Sequence, residues 1–147
     1  MKTTAPTPSE TVSRTAWVWP VALAAVIFAW SSRSRVPDVG DWIPHFDKVV
    51  HFAVYGLLGV LVCRLGRGAR AAVLAVVLTS AYGVTDEWHQ SFVPGRSAEL
   101  ADWVADTLGA LAAVGCYAGS PRLRRWMETP ARIMRRAQGR VEPVSLP

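Results

Sequence analysis

Charged residues leave four stretches of the chain without any: eighteen residues between Arg14 and Arg33, and fifteen each between Lys48 and Arg64, Arg70 and Asp86, and Asp106 and Arg122. A helix on the surface of a soluble protein shows charge on its outward face every three or four residues. None of these runs does, so each is apolar all round and needs enclosure by protein or lipid. A chain of 147 residues makes one domain and has no residues left to wrap four such helices. With 51% hydrophobic and 18% charged residues, it falls below the roughly 25% charge of soluble domains and is far too apolar for intrinsic disorder. The expected fold is all-α, a four-helix transmembrane bundle.

A bilayer core of about 30 Å takes about 20 helical residues. The three fifteen-residue runs are therefore too short unless polar residues at their ends complete the spans. On this reading the helices cover roughly residues 15–32, 46–64, 70–90 and 100–120. All seven tryptophans, Trp17, Trp19, Trp30, Trp42, Trp88, Trp103 and Trp126, lie at or near run ends, where an aromatic belt sits at headgroup depth. Of the sixteen Lys and Arg, twelve fall in the two tails and the second connection (Arg64, Arg67, Arg70) and four in the other connections. The positive-inside rule then places both termini in the cytoplasm and predicts a multi-pass protein of the inner (cytoplasmic) membrane. The chain divides into an N-terminal tail (1–14), the helical domain (15–120) and a basic cytoplasmic tail (121–147). In that tail Leu123, Trp126 and Met127 suit either a short interfacial helix or a solvated segment that enforces topology.

The net charge of +5 does not indicate a nucleic-acid partner, because the basic residues lie beside apolar runs and not on a folded polar face. Cys63 and Cys116 have no partners at metal-ligand spacing, and both read as small buried hydrophobes.

Eight of the eleven acidic residues fall on the opposite side from the basic tails: Asp38, Asp41, Asp47, Asp86, Glu87, Glu99, Asp102 and Asp106. His45, His51 and His89 are there too. Helical spacing puts Asp47, His51 and Tyr55 on one face of the second helix. Tyr82, Asp86 and Gln90 share a face of the third, with His89 beside it and Glu87 turned about 100° away. On the fourth, Asp102 and Asp106 are one turn apart, with Gly109 close below. Ionisable groups at membrane depth usually face the bundle interior or a water-filled cavity, so these stripes form the candidate binding cluster. Asp47 and His51 also suit a simple i, i+4 bridge. Ser97 is placed to cap the fourth helix, with Glu99 in its first turn. Arg96, at the tip of the connecting turn, is placed either to close on the carboxylates, with Asp86 and Asp102, or to present its guanidinium to an anionic ligand. Gly56, Gly59 and Gly109 suit close helix approach.

These residues also carry a likeness. Asp47-Lys48-x-x-His51-Phe52-x-x-Tyr55, then Tyr82-Gly83-x-x-Asp86-Glu87-x-x-Gln90-x-Phe92-x-Pro94-Gly95-Arg96-Ser97, then Asp102 with Gly109 seven residues on, together resemble the VanZ-like family over roughly residues 40–118. The resemblance implies a small multi-helix membrane protein. The family is named for a protein that lowers bacterial susceptibility to teicoplanin. Its pattern has Ala-Asn before the last glycine, where this chain has Ala105-Asp106, a carboxylate in place of an amide.

Three functions fit the cluster. The first is an envelope protein that binds a lipid headgroup or peptidoglycan precursor and so alters what a glycopeptide antibiotic reaches. The second is a membrane-embedded hydrolase or transferase acting on a lipid-linked phosphate. Asp47, His51, Asp86, Glu87 and His89 would then be candidate ligands of a divalent metal and Arg96 the phosphate anchor, although no H-E-x-x-H or similar ligand motif is present. The third, a proton or ion path, is disfavoured by the lack of polar residues in the cytoplasmic halves of helices one and four.

Overall fold

The computed structural model describes residues 16–34 and 45–127. The expectations for the N-terminal tail, for Asp38, Asp41 and Trp42, and for the tail beyond residue 127 lie outside the described residues. Everything regular within them is helical: α1 (Val18–Ser31), α2 (Phe46–Cys63), α3 (Gly68–Gln90), α4 (Leu100–Gly119) and a short α5 over residues 121–127. The helix bounds follow local chemistry. Pro20 sits in the first turn of α1, where a missing N–H costs nothing. α3 opens on Gly68 at φ 72° and gives way to Pro94 and to Gly95 at φ 82°. His45 precedes α2 in the left-handed region (φ 62°) and is exposed.

Successive helices run in opposite directions, so α2 and α4 are parallel and α3 lies antiparallel to both. The start of α2 meets the start of α4 through His51 and Asp106. Their far ends meet in an apolar group of Val60, Cys63, Val114 and Tyr117, into which α3 inserts Ala75. A second group, Ile27, Tyr55 and Leu58, attaches α1.

The tightest approach is between α2 and α4. The Gly109 carbonyl oxygen lies 3.0 Å from where a Cβ on Gly56 would stand, and a Cβ on Gly109 would fall on the Phe52 carbonyl. Small residues let two backbones come this close, and dispersion and weak polar contacts then hold them.

Outside this core the surface is apolar. Val26 and Phe28 on α1, Leu57 on α2, Leu74, Val77 and Leu78 on α3, and Leu108 and Leu111 on α4 are all exposed. Two helices, α2 and α3, are long and apolar enough to cross a membrane, and α1 is a shorter apolar helix.

Two local expectations need correction. Ser97 does not cap α4: Glu99 holds the cap position with no side-chain cap bond, and the helix begins at Leu100. Cys63 is buried as expected, but Cys116 is exposed, because it lies on the outward side of α4. Of the two readings of the tail, the short helix forms over residues 121–127, with Met127 packed against the Val60–Tyr117 group. Trp126 is exposed.

Gly109→Ala should cost about 3 kcal/mol through overpacking against Phe52. Gly115→Ala, whose new methyl meets nothing within 4 Å, should be neutral or slightly stabilising. Thermal unfolding in detergent measures both.

Candidate functional site

The end of the molecule formed by the C-termini of α1 and α3 and the N-termini of α2 and α4 encloses four carboxylates, Asp86, Glu87, Asp102 and Asp106, all buried. The expected stripes on α2, α3 and α4 converge there, and α1 adds Ser31 and Ser32, which the sequence reading did not include. The roughly 100° turn between Asp86 and Glu87 on α3 separates two groups, and a third lies at the rim.

The first group surrounds Asp86. Its Oδ2 accepts from Ser31 Oγ (2.9 Å), Tyr55 OH (3.0 Å) and Gln90 Nε2 (3.1 Å). Three donors on one oxygen of a buried carboxylate replace much of the hydration it gives up. Gln90 passes the contact outward, its Oε1 accepting from an Arg96 guanidinium nitrogen at 3.2 Å. Arg96 also reaches the main-chain oxygens of Arg33 and Trp30, each at 3.4 Å. Arg96 thus ties the α3–α4 connection to the end of α1 and meets neither Asp86 nor Asp102 directly, and the expected three-residue clamp does not form. Tyr82 shares the face of Asp86 but donates to the Ala24 carbonyl of α1 (2.7 Å). His89 is drawn away as well. Its Nε2 lies 3.0 Å from Ser32 Oγ, and its ring stacks on Phe28. An open groove of about 470 Å³ lined by Phe28, Tyr82, Trp88, His89 and Phe92 runs along this side and reaches Asp86.

The second group lies between α2, α3 and α4. His51 Nδ1 is 2.9 Å from Asp106 Oδ1, and its ring lies nearly parallel to that of Tyr55. Asp47 is not the partner of His51, so the i, i+4 bridge is absent. The α2–α4 approach instead sets His51 against the more enclosed Asp106. Glu87 faces the same space, with its Oε2 accepting from the Glu99 main-chain N–H at 2.7 Å. That bond does for the start of α4 what Ser97 was expected to do.

The third group is the rim, where Lys48 Nζ lies 2.7 Å from Asp47, 2.6 Å from Glu99 and 2.7 Å from Asp102 Oδ1. The contact to Asp102 is one of charge and not of good hydrogen-bond direction, since that oxygen makes no hydrogen bond. Asp47 and Glu99 are solvent-accessible, whereas Asp102 is nearly enclosed, so the pairing with Asp102 matters most energetically. Lys48 is the residue that sequence reasoning passed over. Its signal was available: a lysine at the start of an apolar run, on the side of the chain where acids collect.

Further down, Trp103 Nε1 donates to the Ser80 carbonyl (3.3 Å), and Ser80 Oγ meets Thr107 Oγ1 (2.8 Å). These bonds join α3 to α4 below Asp106.

For metal binding, of the expected candidates Asp47, His51, Asp86, Glu87 and His89 only His51 and Glu87 converge. Asp47 lies on the rim, Asp86 belongs to the Ser31–Tyr55–Gln90 group and His89 to Ser32. Among the described residues, ligand atoms come within 4.8 Å of one another in two groups: His51 with Glu87 and Asp106, and Asp47 with Glu99 and Asp102. The second of these is already filled by the Lys48 ammonium.

A small helical bundle with an apolar exterior and one internally charged end defines the class. The sequence pattern of the VanZ/LLP1 family matches residues 4–123, and the chain belongs to that family. No curated protein and no solved structure is significantly similar to it.

Lys48→Met should destabilise the fold by about 3 kcal/mol, because it leaves Asp102 buried without a counter-charge. Adding Asp102→Asn should restore most of the loss, while Asp47→Asn alone should change stability by less than about 0.5 kcal/mol. Chemical denaturation in detergent measures all three.

Proposed function

We propose that this VanZ/LLP1 member is a multi-pass protein of the bacterial cytoplasmic membrane with both termini inside. Its acidic end faces outward and holds a lipid headgroup or peptidoglycan precursor, lowering susceptibility to teicoplanin-type glycopeptides. The observation that carries the reading is the contrast between its surfaces. Apolar side chains are exposed along all four long helices, while four carboxylates are buried at one end. A soluble protein rarely exposes so much contiguous apolar surface, and lipid is the partner that covers it. In lipid, ionisable groups are retained where they face an interior site. Arg64, Arg67 and Arg70 lie at the opposite end from the cluster, as expected if that end is cytoplasmic.

The groove beside Asp86 supports a lipid-linked ligand. Phe28, Trp88 and Phe92 offer an apolar track open to the side, and Asp86 and Tyr82 lie along it. An acyl or prenyl chain in the groove would bring its polar head to the cluster without leaving the membrane. A second reading, hydrolysis or transfer at a lipid-linked phosphate, draws on the meeting of His51, Glu87 and Asp106. Turnover of undecaprenyl phosphates by purified protein, abolished by His51→Ala, is the outcome that would favour it.

Reporter fusions at residue 67 should signal a cytoplasmic location and fusions at residue 95 an external one; a cytoplasmic signal at 95 would overturn the orientation. In a bacterial host expressing the chain, the minimum inhibitory concentration of teicoplanin should rise at least fourfold. Arg96→Ala at matched expression should return it towards the vector control. An unchanged value with the wild-type chain would remove the resistance role.

A further inference from the structure

The group formed by His51, Glu87 and Asp106 has a chemical requirement that headgroup binding alone does not explain. Asp106 is completely enclosed and Glu87 is only 7% exposed, yet each keeps one buried carboxylate oxygen, Asp106 Oδ2 and Glu87 Oε1, without a hydrogen-bond partner. The other oxygen of each is held, Asp106 Oδ1 by His51 and Glu87 Oε2 by the Glu99 N–H. Two anionic groups so close in a low-dielectric interior repel strongly, and an unpaired buried charge is among the costliest features a fold can carry. The neighbouring cations do not relieve it. Lys48 is engaged by Asp47, Glu99 and Asp102, and Arg96 by Gln90 and main-chain oxygens.

We infer that His51, Glu87 and Asp106 form a binding site for one divalent first-row metal ion, of the Mn²⁺ or Zn²⁺ class. One ligand atom from each residue lies within 4.8 Å of the others. The 2.9 Å between His51 Nδ1 and Asp106 Oδ1 matches adjacent ligands of a single ion, which stand about 3 Å apart when each metal–ligand bond is about 2.1 Å. One imidazole with two carboxylates suits Zn²⁺ or Mn²⁺, whereas an all-oxygen set would favour Mg²⁺ or Ca²⁺ and thiolates Cu⁺.

The surroundings fix the ligands as metal sites require. The Tyr55 ring lies nearly parallel to that of His51, and the N-terminus of α4 holds Glu87 through the Glu99 N–H. Gly83, one turn before Glu87 on α3, lets Asp106 Oδ2 pack directly against the α3 backbone. A Cβ there would stand 2.8 Å from that oxygen. Three protein ligands leave at least one coordination position for water or for an anionic oxygen. A phosphate-bearing headgroup could be held there by an acidic cluster that would otherwise repel it. The site does not depend on the orientation of the chain in the membrane, nor on whether the ligand is held or turned over.

The test uses the full chain purified in detergent, stripped with EDTA, loaded with Mn²⁺ or Zn²⁺ and desalted, with helicity checked by circular dichroism. Wild type should retain about one ion per chain by elemental analysis. With Mn²⁺ bound, pulsed electron paramagnetic resonance should show nitrogen coupling from a ligated imidazole. Glu87→Gln and the isosteric Asp106→Asn should each weaken retention at least tenfold, and His51→Ala should abolish the nitrogen coupling. Glu99→Gln, in the rim group, should retain the ion as wild type does. Folded wild type that retains no ion, retention unaffected by Asp106→Asn, or retention lost in Glu99→Gln would each overturn the assignment. These results do not depend on topology or drug phenotype, so failure here is distinguishable from failure of the envelope reading.

Discussion

The rest of the structure depends on the contact of α2 with α4 at Phe52 and Gly109. Because the two helices are parallel and nearly backbone to backbone there, the residues just before the contact on each helix are forced together. His51 is one position before Phe52 and Asp106 three before Gly109, and they meet at 2.9 Å. A further turn outward, Lys48 meets Asp102 by the same register. A larger residue at 109 would push the helices apart and separate both pairs at once. The glycine therefore acts on the site through the distance it permits.

The third long helix then distributes charge on either side of that seam. Asp86 and Glu87 are neighbours in sequence and strangers in space: one enters a group of neutral donors from α1, α2 and α3, the other the acid–imidazole group between α2, α3 and α4. The two groups differ in the kind of partner their carboxylates hold. Hydroxyl and amide donors serve Asp86 on one oxygen and leave its Oδ1 without a partner, whereas Glu87 and Asp106 share one space with the His51 imidazole.

Much of this was legible in the sequence, and the reasons are physical. Runs without charge show enclosed helices whatever encloses them, and the helix bounds came out within about three residues. Spacing of three and four put the polar residues on common faces, and the structure gathers Asp86, Glu87, Asp102 and Asp106 at one end of the bundle. Pairings between helices were not legible, because they depend on register and rotation that periodicity does not encode. The Asp47–His51 bridge was a plausible local pairing, but the α2–α4 seam gave His51 a more enclosed partner. Ser31 and Ser32 passed as the tail of an apolar run and proved to complete the Asp86 and His89 contacts. Arg96 was expected to meet a carboxylate or a ligand, and it meets Gln90 because that amide stands between it and Asp86. The one departure from the family pattern, Asp106, proved to be the most enclosed acid in the described chain.

The central claim is that the α2–α4 seam assembles one coupled polar site from residues far apart in sequence. A double-mutant cycle on unfolding free energy in detergent, with His51→Ala, Asp106→Ala and the pair, measures that coupling directly. The account predicts an interaction energy of about 1 kcal/mol or more. Additive effects, within about 0.3 kcal/mol, would contradict it, since they would mean that the two side chains do not meet.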